Sequence, residues 1–163
     1  MDYTIETWFK ADEAQQTATI ISNGRGDGEE MGGSLNLFAL NLEEGRLVFH
    51  NNGVRVACDG SFADNDWHHV AVAVNRTSGR GQIYVNGKLT TYFEAADLGG
   101  IAAAYIHLGA RVWTPADNLQ QERADNFFKG EIDEVRVWNL YKSETLVENG
   151  NSNRLDGTEK GLL

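Results

Sequence analysis

The stretch HHVAVAVNRTSGRGQIYVNGKLTTYFE, residues His68 to Glu94, decides the fold class. Residues 68–75, 82–86 and 89–94 are rich in β-branched and aromatic residues, and short polar segments separate these three runs. Asn86-Gly87, between the second and third runs, suits a type I′ turn, because both central residues of that turn need a positive φ. The stretch therefore predicts antiparallel strands joined by tight turns.

Strand signals of the same kind recur along the rest of the chain. They lie at residues 3–10, 17–22, 34–41, 46–51, 54–59, 105–110 and 130–139. Only SETLVENG, residues 143–150, predicts a helix, because Ser143 can cap its start and Gly150 can end it. About ten short strands without a helical crossover indicate an antiparallel sandwich or barrel, and therefore an all-β fold.

Composition and charge exclude several classes of function. The chain has 163 residues, a length that suits one domain, and a formal net charge of −10. Binding to nucleic acid through its phosphates is therefore not expected. No run of about 18 apolar residues is present, so we expect no insertion into a membrane. Cys58 is the only cysteine, which excludes an intrachain disulfide, and its place in VRVACDG predicts a buried side chain.

Four segments along the chain form a recognisable series. They are YTIETWFK (3–10), DNDWHHVAVAVN (64–75) followed by IYVNGK (83–88), IHLG (106–109) and FFKGEIDEVRVWN (127–139). In this order and spacing they resemble the laminin-G-like and pentraxin-like domains of the concanavalin A-like lectin/glucanase superfamily. The resemblance covers the chain from Tyr3 to about Gly150.

The resemblance implies a two-sheet antiparallel jelly-roll sandwich with one short C-terminal helix. It also implies an extracellular or cell-surface module that binds a glycan or a protein partner and is not an enzyme. We expect residues 1–163 to form a single such domain, cut from a longer chain, because strands usual at both ends of the family are missing. Exposed sheet edges would favour an oligomer. A structural or assembly module of a larger surface protein is an alternative.

The carboxylates of EIDEVRVW, residues 131–138, raise the alternative of a glucanase-like hydrolase. The β-glucanase branch of the superfamily carries Glu-x-Asp-x-Glu or Glu-x-Asp-x-x-Glu on one strand, because retaining hydrolysis needs a nucleophile and an acid about 5–5.5 Å apart. Glu131 and Asp133 match the first two positions, but Val135 or Arg136 stands at the third. Because arginine cannot donate a proton at neutral pH, we predict that the protein is not a hydrolase.

The same strand is predicted to contain a β-bulge at Asp133-Glu134. Strict alternation would leave both faces mixed, whereas a bulge lets Ile132, Val135 and Val137 all point into the core. Asp133 would then be partly buried and would need a hydrogen-bonding partner or a cation.

Two long loops, residues 23–33 and 111–126, are rich in the oxygen ligands that calcium prefers. The resemblance implies one calcium ion held by Asp27, Asp117 or Asp125 together with backbone carbonyls. The acidic cluster of pentraxin-like relatives is replaced here by ARVW, residues 110–113, so their paired site is not expected. Solvated loop carboxylates are common on any acidic chain, and both interpretations stay open.

Glycan binding needs an exposed aromatic ring beside polar side chains, because sugars stack their apolar faces and hydrogen-bond through their hydroxyls. Trp113, in the second long loop, is the leading candidate, with Arg111 and Asn118 nearby. Tyr92 and Phe93 form a second candidate pair. The other three tryptophans match core positions of the family that the chain resembles. We therefore expect buried side chains at Trp8, Trp67 and Trp138.

Overall fold

The computed structural model describes residues 2–12, 17–23, 38–95, 98, 106–113, 121–150 and 153–163. These residues form strands throughout, with one short helix near the C-terminus. In chain order the elements are β1 Tyr3–Ala11, β2 Thr17–Asn23, β3 Phe38–Glu43, β4 Arg46–Asn51, β5 Val54–Ala57, β6 Trp67–Asn75, β7 Arg80–Val85, β8 Lys88–Glu94, β9 Ile106–Leu108, β10 Arg111–Trp113, β11 Arg123–Asp125, β12 Gly130–Trp138 and α1 Glu144–Gly150.

The chain divides into two compact units. The first unit comprises Met1–Phe9, Trp67–Ala96 and Ile132–Leu163, and the second comprises Lys10–Asp66 and Asp97–Glu131. Five strands are hydrogen-bonded in the order β12-β1-β6-β7-β8, and five others in the order β5-β4-β3-β2-β9. Strands β10 and β11 form a separate two-stranded hairpin. The expectation of one domain cut from a longer chain stays a prediction.

The first unit contains the stretch that predicted the fold. Strands β6, β7 and β8 pair antiparallel in sequence order. Asn86 and Gly87 have φ values of 52° and 78°, which confirms the turn predicted for them. Helix α1 follows Ser143, whose carbonyl accepts a hydrogen bond from the Val147 amide at 2.9 Å. The Val147 side chain packs against β6 and β7.

The second unit contains a meander of four strands, β2 to β5. Its register sets Leu40 opposite Phe49 and Leu42 opposite Leu47, and all four side chains are buried. Cys58 follows β5 and is buried, as predicted. The sequence did not predict β10 and β11, because the loop assigned to residues 111–126 begins and ends in this hairpin.

Strand β12 has the distortion that the sequence predicted at Asp133-Glu134. Glu134 has a φ of 50°, the left-handed conformation that a bulged residue adopts. Of the three side chains expected in the core, Val137 is buried, whereas Ile132 and Val135 are only half-buried. The expectation that Asp133 is partly buried is wrong. Its side chain is exposed, and Oδ1 accepts a hydrogen bond from the Glu134 amide at 2.8 Å, so it stabilises the distortion from the solvent side.

Among the described residues, no helix has both the length and the apolar character needed to cross a membrane.

Candidate functional site

The β10–β11 hairpin brings together Arg111, Trp113 and Asp125, which the sequence singled out for two different roles. Arg111 lies opposite Asp125 in the strand register. Its Nε donates to Asp125 Oδ1 at 2.7 Å, and its Nη2 donates to Oδ2. Trp113 Nε1 donates to the same Oδ2 at 3.0 Å. One carboxylate therefore fixes both side chains, and bidentate pairing to arginine is the strongest form of this contact.

The electrostatics of the hairpin follow from this pairing. The hydrogen bond from Arg111 lowers the pKa of Asp125 against the opposing effect of burial, and Trp113 adds to the lowering. The ionised form of the carboxylate is therefore favoured. Asp125 and Arg111 form a bidentate ion pair beside the indole ring of Trp113.

The ring of Trp113 is half-buried and lies close to two guanidinium groups. The Cζ atoms of Arg111 and Arg123 lie 5.8 Å and 5.5 Å from the ring centroid, within the range of cation–π attraction. The ring is thus held between its hydrogen bond at one edge and charged neighbours at its surface. The ring is therefore bordered by polar and charged groups rather than by apolar side chains.

Three predicted site residues, Asn118, Asp27 and Asp117, lie outside the described residues. Within the described ranges, no group of three or more His, Cys, Asp or Glu side chains is placed to hold a metal ion. Asp125 is described, and both of its oxygens are hydrogen-bonded to Arg111 and Trp113. Calcium binding by these carboxylates stays a prediction.

The carboxylates of β12 are held in structural contacts. Glu131 lies 3.3 Å from Lys10 Nζ and is largely exposed. Arg136, at the place where a hydrolase would need its acid, is 5% exposed. It donates to Glu134 Oε2 at 2.8 Å and to the Asn153 carbonyl at 2.7 Å. The strand therefore presents Glu131 and Asp133 to solvent around a buried cation.

A buried charged cluster centred on Glu6 was not predicted from the sequence. Glu6 Oε1 accepts hydrogen bonds from Lys142 Nζ at 2.8 Å and Trp138 Nε1 at 2.7 Å. His69 Nε2 lies 3.4 Å from Oε2, and Arg136 Nη1 lies 3.9 Å from Oε1. The cluster ties the segment after β12 to β1 and β6. The one signal in the sequence was a carboxylate among the strand-forming residues of YTIETWFK.

The tryptophans assigned to the core differ from one another. Trp138 is 4% exposed, which confirms the prediction for that residue. Trp67 is 42% exposed, so the prediction for it is wrong. It is the first residue of β6, and burial along this strand begins only two residues later, at His69. Trp8 is half-buried, and its ring lies against that of His69 with centroids 5.3 Å apart. Tyr92, from the second candidate pair, is exposed, whereas Phe93 is half-buried.

Comparison with protein families gives one match. A family model for laminin-G-like domains, described as the concanavalin A-like lectin/glucanases superfamily, matches residues 1–147. No curated protein matches the sequence.

Several solved structures are similar to the chain. One is a candidate carbohydrate-binding protein from Bacteroides ovatus, with 20% identity and a TM-score of 0.75 over 99% of this chain and 43% of that protein. Another is the CBM40 domain of the IT-sialidase from Ruminococcus gnavus, with 16% identity and a TM-score of 0.69 over 90% of this chain and 80% of that domain. That domain has also been solved bound to α2,3-sialyllactose.

A third similar structure is the native heptameric SAP-like pentraxin from Limulus polyphemus, with 17% identity and a TM-score of 0.67 over 99% of this chain and 78% of the pentraxin. At these identities the likenesses show the fold alone. The chain spans less than half of the Bacteroides ovatus protein. The antiparallel jelly-roll class predicted from the sequence is thereby confirmed.

Proposed function

The chain belongs to the concanavalin A-like lectin/glucanases superfamily, and on that premise we propose that it is a non-catalytic extracellular module that binds a glycan with the help of calcium. The proposed surface is the loop rim of residues 23–33 and 111–126. The structure describes Asn23 and residues 111–113 and 121–126 of this rim. An extracellular protein is the alternative partner.

The arrangement of Arg111, Trp113 and Asp125 is the observation that carries the proposal. Sugar binding is strongest when the aromatic platform and the polar groups are fixed before the ligand arrives, because less conformational entropy is then lost. Here a single carboxylate holds the indole and the guanidinium in place. The similar carbohydrate-binding protein from Bacteroides ovatus and the sialyllactose-bound domain from Ruminococcus gnavus support the same class of ligand.

The absence of catalysis is proposed from the chemistry of β12. Hydrolysis of a glycosidic bond needs a general acid next to the nucleophile. Arg136 cannot supply a proton, and its buried guanidinium holds Glu134 in an ion pair. Cys58 is no alternative nucleophile, since burial raises the pKa of its thiol to about 11.

Calcium is proposed as a further ligand of the rim, held by Asp27, Asp117 or Asp125 with backbone carbonyls. A ligand that binds only the folded protein stabilises it by mass action, by about 3 kcal/mol when its concentration is 100-fold above Kd. The melting temperature should therefore rise with calcium and fall with chelator. A melt unchanged across millimolar calcium would contradict calcium binding and leave the glycan proposal standing.

A glycan array tests the proposal. The wild type should retain a defined set of glycans, more strongly with calcium than with chelator. Trp113→Ala should lose these glycans at an unchanged melting temperature, whereas the matched control Tyr92→Ala should keep them. Equal binding by wild type and Trp113→Ala would reject the rim. A stable oligomer that retains no glycan would favour an assembly module instead.

A further inference from the structure

A second cleft lies in the first unit, and its lining includes none of the residues that the sequence assigned to ligand binding. It has a volume of about 670 Å³ and is lined by Trp8, Trp67, Asp133, Glu134, Arg136 and Arg154. This volume falls within the roughly 300–1,000 Å³ that is usual for sites of small ligands. We propose that this cleft is an additional binding site for an uncharged pyranose unit of a glycan.

Aromatic surface is the first requirement of such a site. Two indole rings line one cleft, and Trp67 leaves 42% of its surface exposed in a protein where Trp138 is almost fully covered. The ring of Trp8 is backed by His69, which is itself buried, so Trp8 is positioned without a ligand. Exposed and fixed indole faces are what the C–H face of a pyranose packs against.

Hydrogen-bonding groups are the second requirement, and the mouth of the cleft supplies them. Asp133 uses Oδ1 on the Glu134 amide, and Glu134 uses Oε2 on Arg136. Within the described residues, the second oxygen of each carboxylate accepts no hydrogen bond, and both side chains are exposed. These two oxygens can accept from adjacent sugar hydroxyls.

Arg154 supplies the donors. Its side chain is exposed at the edge of the cleft, and in the part of the chain that the structure describes it forms no ion pair. Arg136 has a different role, because it is buried and paired with Glu134 and the Asn153 carbonyl. It positions Glu134 and the backbone next to Arg154, so the cleft has both a fixed acceptor and a free donor.

The charge balance of the cleft selects the class of ligand. The two carboxylates of Asp133 and Glu134 are matched by the two guanidinium groups of Arg136 and Arg154, so the lining has no net charge. An anionic sugar would gain no excess of cations there and would approach a chain with a net charge of −10. A neutral sugar meets no such cost. The cleft is therefore suited to neutral glycans.

This site goes beyond the proposed rim and stands on different residues. Trp113 and Arg111 take no part in it, so its success or failure can be measured separately. Indole N–H signals in nitrogen-15 NMR spectra provide the readout, since the chain has four tryptophans that Trp→Phe variants can assign.

The experiment titrates the protein with four neutral sugars: lactose, maltotriose, cellotriose and mannotriose. It also uses α2,3-sialyllactose, which is lactose extended by an anionic sugar. At least one neutral sugar should shift the Trp67 and Trp8 signals saturably, and sialyllactose should do so more weakly than lactose. Trp67→Ala should weaken the neutral sugar roughly tenfold, as expected for loss of one stacked ring. Arg154→Ala and Asp133→Asn should each weaken it several-fold, and Phe127→Ala, which removes an exposed aromatic ring of the second unit, should have no effect.

Three results would overturn the inference. One is the absence of any shift at Trp67 and Trp8 with all four neutral sugars. Another is tighter binding of sialyllactose than of lactose at these two signals. The third is an unchanged affinity in both Trp67→Ala and Arg154→Ala. Arg154 is exposed, so its variant remains informative if Trp67→Ala folds poorly. Shifts confined to Trp113 would contradict the cleft and support the rim.

Discussion

Replacing Glu6 with glutamine tests how the buried charged cluster stabilises the first unit. The Glu6 side chain is fully buried, and Lys142 and Arg136 beside it are 8% and 5% exposed. Glutamine keeps the size and one carbonyl acceptor but removes the charge. Among the described residues, Lys142 then has no ion-pair partner, whereas Arg136 retains its ion pair with Glu134. Removing one partner of a buried ion pair costs about 3–5 kcal/mol, and the remaining partner of Arg136 favours the lower end.

The direction of the Glu6 pKa shift agrees with this stabilisation. Burial by itself raises the pKa, but polar contacts with His69 and Lys142 outweigh it and lower the pKa from 4.5 to about 2. At about 1.4 kcal/mol per pKa unit, the charged form contributes about 3 kcal/mol to folding. Because the folded pKa lies below the unfolded one, this contribution is complete above the unfolded value of 4.5 and is lost as the pH falls towards 2.

Urea unfolding followed by tryptophan fluorescence measures both effects. Near neutral pH, Glu6→Gln should lower the free energy of unfolding by about 3 kcal/mol. On acidification the wild type should lose stability faster than Glu6→Gln, so the two curves converge. Glu134→Gln is the matched control, since it removes a half-exposed partner of the same Arg136 and should cost less than about 1 kcal/mol. A cost for Glu6→Gln equal to that of the control, or parallel pH curves, would refute the reasoning.

Further predictions concern three other contacts. Asp125→Asn should weaken glycan binding roughly tenfold in calorimetry, because Arg111 loses its charge-assisted bidentate partner; full affinity would contradict the rim. Gly81→Ala should cost about 1–3 kcal/mol in thermal unfolding, because a Cβ there would lie 2.1 Å from the Phe93 ring. Adding Phe93→Leu to Gly81→Ala should recover part of the lost stability. If the double variant is no more stable than Gly81→Ala, the clash with Phe93 is not the cause. Cys58 should resist alkylation by iodoacetamide in the folded protein and react only in denaturant, because burial raises the pKa of its thiol to about 11.

Local features of the fold were predictable because they depend on neighbours in sequence. The turn at Asn86-Gly87 needs only two adjacent residues, and both have the positive φ expected. The helix after Ser143 and the distortion at Glu134 are equally local. Each arises from patterns a few residues long, which a single sequence displays directly.

Features that depend on distant segments could not be predicted. Glu6 is buried because Lys142 reaches it from 136 residues away. Trp67 shares a strand face with His69, Ala71 and Ala73, and the last two belong to the same buried cluster as Val147 of α1. The sequence shows which residues share a face but not how far the covering helix extends along it. The pairing of Arg111 with Asp125 was likewise hidden, since the residues between them carried no strand signal.

Saturation-transfer difference NMR on a glycan retained by the array tests most directly whether this protein binds carbohydrate without cleaving it. Saturation should pass from the protein to protons on one face of the sugar, and the anomeric signals should stay unchanged during prolonged incubation. No transfer to any glycan, with or without calcium, would contradict the binding function. New reducing-end anomeric signals that disappear with Glu131→Gln would show a hydrolase instead.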